Sequence, residues 1–349
     1  MYYLHKVTKD LKNTRTSGRL FFVFLYNFCN FEIPNAPVNK DMYCMENIIA
    51  PVDPAFLKQE LARAEELAEA SHGDIKVYCL DSSFLHVLRE IGRLREIAFR
   101  KGGGGTGKDC DLDEWDTDPA FRYRQLVVWD ARNECIAGGY RFVYGCNVKA
   151  DASGQPIIPS AHIFRFTERF MKEQMPFTME LSRSFVAEGH QRTDSARKSI
   201  FVLDCLFKGI CVAAREGGMT DVFGKVTFYP DYPQEAFSLL TSFMKKHCSG
   251  GKNEIAPISQ YPVSLAIDAE NILKYNDYRS DFRAMNAALL QRKQYLPPIL
   301  KSYMNQTTTL RYYGSAINDA FGNVVEMGLK LHIPDVDKGR WGIYFKGDK

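Results

Sequence analysis

No CxxC pair occurs among the nine cysteines, and their number is odd. That excludes a zinc ribbon and a secreted disulfide framework, and it leaves reduced, mostly buried thiols in a cytosolic protein. The chain also lacks an apolar run of the ~18 residues that a membrane-spanning helix requires. It has little net charge, +3 over 349 residues, and no basic stripe, so it offers no case for nucleic acid. A local basic patch facing an acidic protein or anionic lipid remains compatible with that balance. No metal-ligand spacing of His, Cys, Asp or Glu is present, and no metal is expected.

The most apolar stretch, residues 20–31 (LFFVFLYNFCNF), follows Lys6, Lys9, Lys12, Arg15 and Arg19. Basic residues before a short apolar run resemble a signal peptide, but Pro34, Asn35 and Pro37 stand where a small-residue cleavage site belongs. Met45 opens MENIIAPVDPAFLKQ, which reads as an ordinary cytosolic start. Residues 1–44 are therefore expected to form a non-globular extension, with a membrane-touching segment as the alternative.

Asp53 and Pro54 mark a helix start, and Phe56, Leu57, Leu61, Ala64, Leu67 and Ala68 recur at helical spacing up to Gly73. Ile75 to Leu80 alternates like a strand, and the next helix carries Leu85, Leu88, Ile91, Arg95 and Phe99. A glycine-rich loop, KGGGGTGKD, follows. Its Gly102, Gly107 and Lys108 have P-loop spacing, but Asp109 replaces the hydroxyl that would hold magnesium, and the segment follows a helix rather than a strand. A flexible active-site loop is the better reading. YRQLVVW and CIAGGYRFVY form a hairpin around Asp130 to Glu134. Residues 161–175 have the spacing of an amphipathic helix, FTMELSRSFV that of a strand, and 195–216 that of a long helix stopped by Gly217 and Gly218. A strand over 220–228, a helix over 234–247 and a strand over 261–267 complete this order. It implies an α/β (α+β) fold with a mixed central sheet flanked by helices. From about 270 a separate unit is expected, with a short helix at Pro297 and Pro298 and strand-like pieces around Asn318, Asp319 and Gly322.

Charged residues occupy apolar positions. In a strand, Glu180, Ser182 and Ser184 share one face, and Leu181, Arg183 and Phe185 share the other. Adjacent ionised groups in an apolar strand are costly unless paired or used, so either an internal ion-pair lattice or a reaction site is expected. Arg95 lies on the apolar side of its helix four residues before Phe99, Asp113 and Asp116 stand just ahead of the hairpin, and Arg141 lies inside GGYRFVY.

RLREIAF, DLDEWD, GGYRFVY and ELSRSFV, in this order, resemble the GNAT-fold acyl-ACP N-acyltransferases of the ornithine-lipid type, often labelled hemolysin-like, and the related acyl-homoserine-lactone synthases. The resemblance covers roughly residues 75–265. It implies a GNAT-like domain over 45–268, and the 269–349 stretch is expected as an extension packed upon it. Arg95, Phe99, Asp113, Asp116, Arg141, Glu180 and Arg183 fall on the family's motif positions. The C-terminal PPILKSYM and the strand-like tail resemble the lipid-forming branch, long versions of which acylate glycine or a similar amino acid. Acetyl-CoA-using relatives carry a Q/R-x-x-G-x-G/A turn after the central strand. Here GHQRTDSARKS keeps Gln191 and Arg192 but lacks the glycines. That departure favours a carrier-borne phosphopantetheine thioester over CoA. Arg192, Arg197 and Lys198 near a helix N-terminus are candidates to hold its phosphate and the acidic carrier surface, or are simply a solvated basic turn.

The implied reaction is N-acyl transfer from acyl carrier protein to an amino acid, giving a monoacylated amino-acid lipid. No permanently bound cofactor is expected, and the setting is the cytoplasm, with room for peripheral contact at the inner membrane face. Glu180 is the candidate base, backbone amides near Leu181 the oxyanion donors, and Arg141 and Arg183 the groups that organise Glu180 or hold the acceptor carboxylate. Arg95, Asp113 and Asp116 would order the N-terminal cover and the glycine loop. Phe142, Phe177, Met179 and Phe185 are candidates to line an acyl channel, or core residues. No cysteine–histidine–carboxylate pattern or HxxxxD motif suggests an acyl-enzyme route. The rival readings are a signal-making acyl-homoserine-lactone synthase and a membrane-active hemolysin-like protein.

Overall fold

The computed structural model describes residues 45–69, 74–191, 196–250, 254–263 and 268–337, except for the side chains of 196–200. Residues 1–44 and Arg192, and the side chains of Arg197 and Lys198, on which the extension and donor-phosphate expectations rest, lie outside what is described.

The chain starts with α1 (Pro54–Leu61), capped by the Asp53 carboxylate, which accepts from the Ala55 amide at 2.8 Å. The helix stops at Leu61, short of the expected span. Glu65–Glu69 is instead an edge strand, β1, paired antiparallel to β2 (Ile75–Leu80). Then come α2 (Leu85–Lys101), the short α3 (Glu114–Thr117), and the hairpin β3 (Arg124–Asp130) and β4 (Cys135–Tyr144). The Asp130 carboxylate accepts from the amides of Arg132 and Asn133 and fixes that turn.

The stretch expected as one helix over 161–175 is broken into a short strand β5 (Phe164–Phe166), a helix α4 (Glu168–Glu173) and a turn into β6 (Thr178–Val186). Beyond β6 lie α5 (Glu188–Gln191), the long α6 (Ala196–Glu216), β7 (Asp221–Phe228), α7 (Gln234–His247) and β8 (Ile255–Pro257), which pairs with β5. Gly218, at φ +68°, supplies the left-handed stop after α6. Residues 261–263 are not in a strand as expected, and 264–267 lie outside the described residues. The chain continues through α8 (Ala269–Ile272), α9 (Tyr278–Gln291), α10 (Pro298–Gln306), β9 (Arg311–Asn318) and β10 (Val324–His332).

Eight strands form one mixed sheet in the order β1-β2-β3-β4-β6-β7-β10-β9, antiparallel except for the β6–β7 pair. The separate unit expected from 270 is corrected here. β10 pairs along the whole of β7, so the C-terminal strands extend the sheet instead of resting on it. One face packs on α6, α7, α9 and α10 through Leu126, Phe142, Met179, Leu206, Leu240 and Met285. The other face is covered by α1 and α2 at one end and by the 145–177 segment with β5 and β8 at the other. The charged cluster lies in the seam between those two covers. No helix among the described residues is long and apolar enough to cross a membrane.

Gly145 shows how tightly the second cover is fitted. A Cβ there would sit 1.7 Å from the Met175 carbonyl oxygen and 2.4 Å from that of Thr178. Both obstacles are backbone, so neither can swing away. Gly145→Ala is expected to cost roughly 3 kcal/mol, read as a lowered urea midpoint. An unchanged midpoint would contradict this packing.

Candidate active site

β6 pairs with β7 only over Thr178, Met179 and Glu180, opposite Asp221, Val222 and Phe223. Both strands continue, to Val186 and Phe228, without pairing with each other. The cause is visible on the other edge of β6. Its register with β4 shifts between Gly139↔Phe185 and Arg141↔Ser182, so Arg183 and Ser184 together face Tyr140. Such a bulge bends and twists the strand that carries it. Arg183 adopts φ +52°, a left-handed conformation uncommon for a non-glycine residue and out of keeping with an extended strand. The result is a fork in the sheet whose apex is Glu180.

The bulge also corrects the face assignment. Strict alternation puts Arg183 opposite Glu180, yet its guanidinium approaches Asp111 at 3.1 Å and Asp113 at 3.7 Å, on the same face as Arg141. Phe185 likewise turns to the α2 side while Leu181 stays in the α6 core.

Glu180 is 1% exposed. Its Oε1 accepts from Ser160 Oγ at 2.6 Å and its Oε2 from Tyr123 OH at 3.2 Å. In-register neighbours Val143 and Phe223 are apolar, and burial pushes its carboxyl above the usual range, against the pull of Ser160, Lys225, Arg141 and Tyr123. Burial, together with the neighbouring carboxylate, pushes the Tyr123 hydroxyl well up.

Beside this pair lies the arginine–aspartate network. Gln125, Arg141 and Ser182 are register partners on β3, β4 and β6 and form a polar row across the sheet. Asp116 Oδ1 accepts from Arg95 Nη1 at 2.9 Å and Gln125 Nε2 at 2.8 Å; Oδ2 accepts from Arg141 Nη1 at 3.0 Å and the Asp113 amide at 3.2 Å. Arg95 Nη2 donates to Gln125 Oε1 at 2.6 Å, and Arg141 also donates to Asp113 and to Ser182 Oγ. Burial alone would raise the Asp116 carboxyl; the charges of Arg95 and Arg141 outweigh it and hold that carboxyl well below the carboxylate range. The Arg141 guanidinium stands 5.4 Å from the Tyr123 ring centroid and so links the network to Glu180.

The structure thus brings Arg95, Asp113, Asp116, Arg141, Glu180 and Arg183 together. Phe99 is at one remove, packed edge-on to Phe321 at 5.0 Å. The glycine loop is tied down: the buried Glu96 carboxylate accepts from the Thr106 and Gly107 amides and from Arg100 Nε. The four apolar candidates do not line one channel. Phe142 and Met179 are in the α6-side core, Phe185 is in the α2-side core, and Phe177 is 53% exposed. Sequence reasoning missed Tyr123, Ser160, Asp111 and Gln125. Only Gln125, an amide within an apolar strand, carried a legible signal.

Residues 94–199 match the Acetyltransferase (GNAT) domain family. The Glycine N(alpha)-acyltransferase of Phocaeicola vulgatus is 38% identical over 300 residues, 84% of this chain and 90% of that protein. The protein of the same name from Bacteroides thetaiotaomicron is 36% identical over 301 residues, 84% of this chain and 87% of that protein. Among solved structures, the AHL synthase LasI aligns at 12% identity and a TM-score of 0.32 over 55% of this chain and 84% of its own, too loose a likeness to support anything further. On the similarity to the first two, the chain is an acyltransferase that belongs to the GNAT-type N-acyltransferase family to which these glycine N(alpha)-acyltransferases belong.

Proposed function

We propose that the protein transfers a fatty acyl group from acyl carrier protein to the α-amine of glycine, releasing a monoacylated glycine lipid. The observation that carries this reading is Glu180, a buried carboxylate with raised proton affinity at the apex of the β6–β7 fork. The edge of 181–186 that faces β7, unpaired with that strand, offers backbone amides to an extended thioester arm. An α-amine has a pKa of roughly 7.7–8.0, so it must shed a proton before it attacks. Glu180 takes that proton directly or through water. The nitrogen bonds to the thioester carbon, the tetrahedral oxyanion collapses, and the C–S bond breaks; the proton lost by the attacking nitrogen passes to the departing thiolate, which stays on the carrier arm as a thiol. Arg183 holds the acceptor carboxylate, and Arg141 with Asp113 and Asp116 fixes the wall behind it.

The glycine acceptor is supported by the names of the two relatives. The carrier-protein donor is supported by the missing glycines in GHQRTDSARKS, since a carrier arm has one phosphate and needs no pyrophosphate turn. A lipid product also gives the protein reason to touch the inner membrane face. The test is expression in a bacterium that makes no amino-acid lipids, followed by lipid mass spectrometry. New species of one acyl chain plus one glycine are expected. Their absence, with folded protein and acyl carrier protein present, would refute the reading.

A further inference from the structure

The β9–β10 turn, residues 319–323, reaches over the fork. Its Phe321 is 5% exposed and lies in the α2-side core with Phe185 and Phe99. The Arg183 guanidinium stacks 4.8 Å from its ring centroid. At one end of the turn, Asp319 meets His162 at 2.7 Å, two residues beyond the Ser160 that holds Glu180. At the other, Gly322 adopts φ +75° and lies against the glycine loop, where a Cβ would come within 3.2 Å of Gly104 Cα. A Cβ on Gly104 would in turn come within 3.0 Å of Tyr229 and 3.4 Å of Phe321. The turn therefore bridges the Ser160 side and the Arg183 side of the site, and it is closely packed where Gly322 meets the glycine loop.

Arg183 is the most open of the three arginines in the charged cluster. Its side chain is 20% exposed, whereas those of Arg95 and Arg141 are 0% and 1% exposed. Its Nε lies 3.1 Å from Asp111 but makes no aligned hydrogen bond among the described residues. A forked donor held but not saturated suits an incoming carboxylate.

We propose that Phe321 is the wall of the acceptor site and restricts the acceptor to glycine. This rests on the proposed N-acyl transfer to glycine. With the acceptor carboxylate on Arg183 and its amine toward Glu180, the α-carbon lies beneath the Phe321 ring, and a side chain on it collides. The strand pair that completes the sheet thereby sets acceptor choice from outside the GNAT-matched residues 94–199. Phe321 is a specificity residue and takes no part in proton transfer.

The experiment supplies purified full-length protein with a C16 acyl-carrier-protein thioester and equal concentrations of glycine, alanine, serine and ornithine, and reads the products by mass spectrometry. Phe321→Ala is expected to raise the alanine and serine products at least about tenfold relative to glycine, the scale of discrimination that a single methylene gives in a fitted pocket. If that variant does not fold, Phe321→Leu is read in the same way, with a smaller rise expected. Glycine-only product from the wild type and an unchanged ratio in the folded variant would overturn the wall and leave the glycine reading standing. A wild type that acylates ornithine as readily as glycine would overturn both.

Discussion

Replacing Glu180 by glutamine is expected to lower turnover by about 10²–10⁴-fold, the range that a positioned general base contributes. The substitution is nearly isosteric. Its amide oxygen can still accept from Ser160 or Tyr123, so the wall it forms with Val143 and Phe223 is preserved. What it removes is proton affinity at the apex of the fork. Burial gives Glu180 more of that affinity than a surface carboxylate has, which brings it nearer to the amine it serves. The checks are steady-state turnover with an acyl-carrier-protein thioester and glycine, and a thermal melt showing the variant folded. Turnover within about threefold of wild type would place the base elsewhere.

Asp116→Ala is expected to cost about 3–5 kcal/mol and to leave little folded protein at moderate urea. Four donors converge on this carboxylate, and the two guanidinium groups it separates are almost wholly out of water. Arg141 would keep Asp113, but the hydrogen bond left to Arg95 would be the one to Gln125, a neutral group. The same site gives stability a pH dependence of fixed sign. The folded-state carboxyl is held below its ordinary value of 3.8. Its contribution is therefore complete above that value and is lost as pH falls toward the depressed one. Urea titrations at neutral and acid pH check both statements. A loss under about 1 kcal/mol in the alanine variant would mean the network is not what binds α2 and α3 to the sheet.

The charges in apolar elements are legible in the sequence: Arg95 on its helix and Arg141, Glu180 and Arg183 in their strands stand out because burial of an ion demands a partner or a use. Their partners are not, because Tyr123 and Ser160 meet Glu180 only through the tertiary fold, and neither departs from its local pattern. The bulge was equally hidden. MELSRSFV alternates well enough to read as a flat strand, and only pairing with β4 reveals the extra residue that turns Arg183 toward Asp111. Helix boundaries failed where pairing overrode propensity. Glu65 to Glu69 is made of good helix formers yet serves as an edge strand, and Phe164 to Phe166 satisfies helical spacing while pairing with β8. In the tail from 270 nothing in the sequence points to a partner strand, whereas in the fold β10 takes its register from β7.

The most direct test of Glu180 as the proton acceptor is the pH dependence of kcat for the wild type beside Glu180→Gln. The wild type is expected to lose activity on the acid side with an apparent pKa above the ordinary 4.5 of a glutamate, and the glutamine variant is expected to be slow and to lack that limb. The same acid limb persisting in the variant, at an undiminished rate, would contradict the assignment.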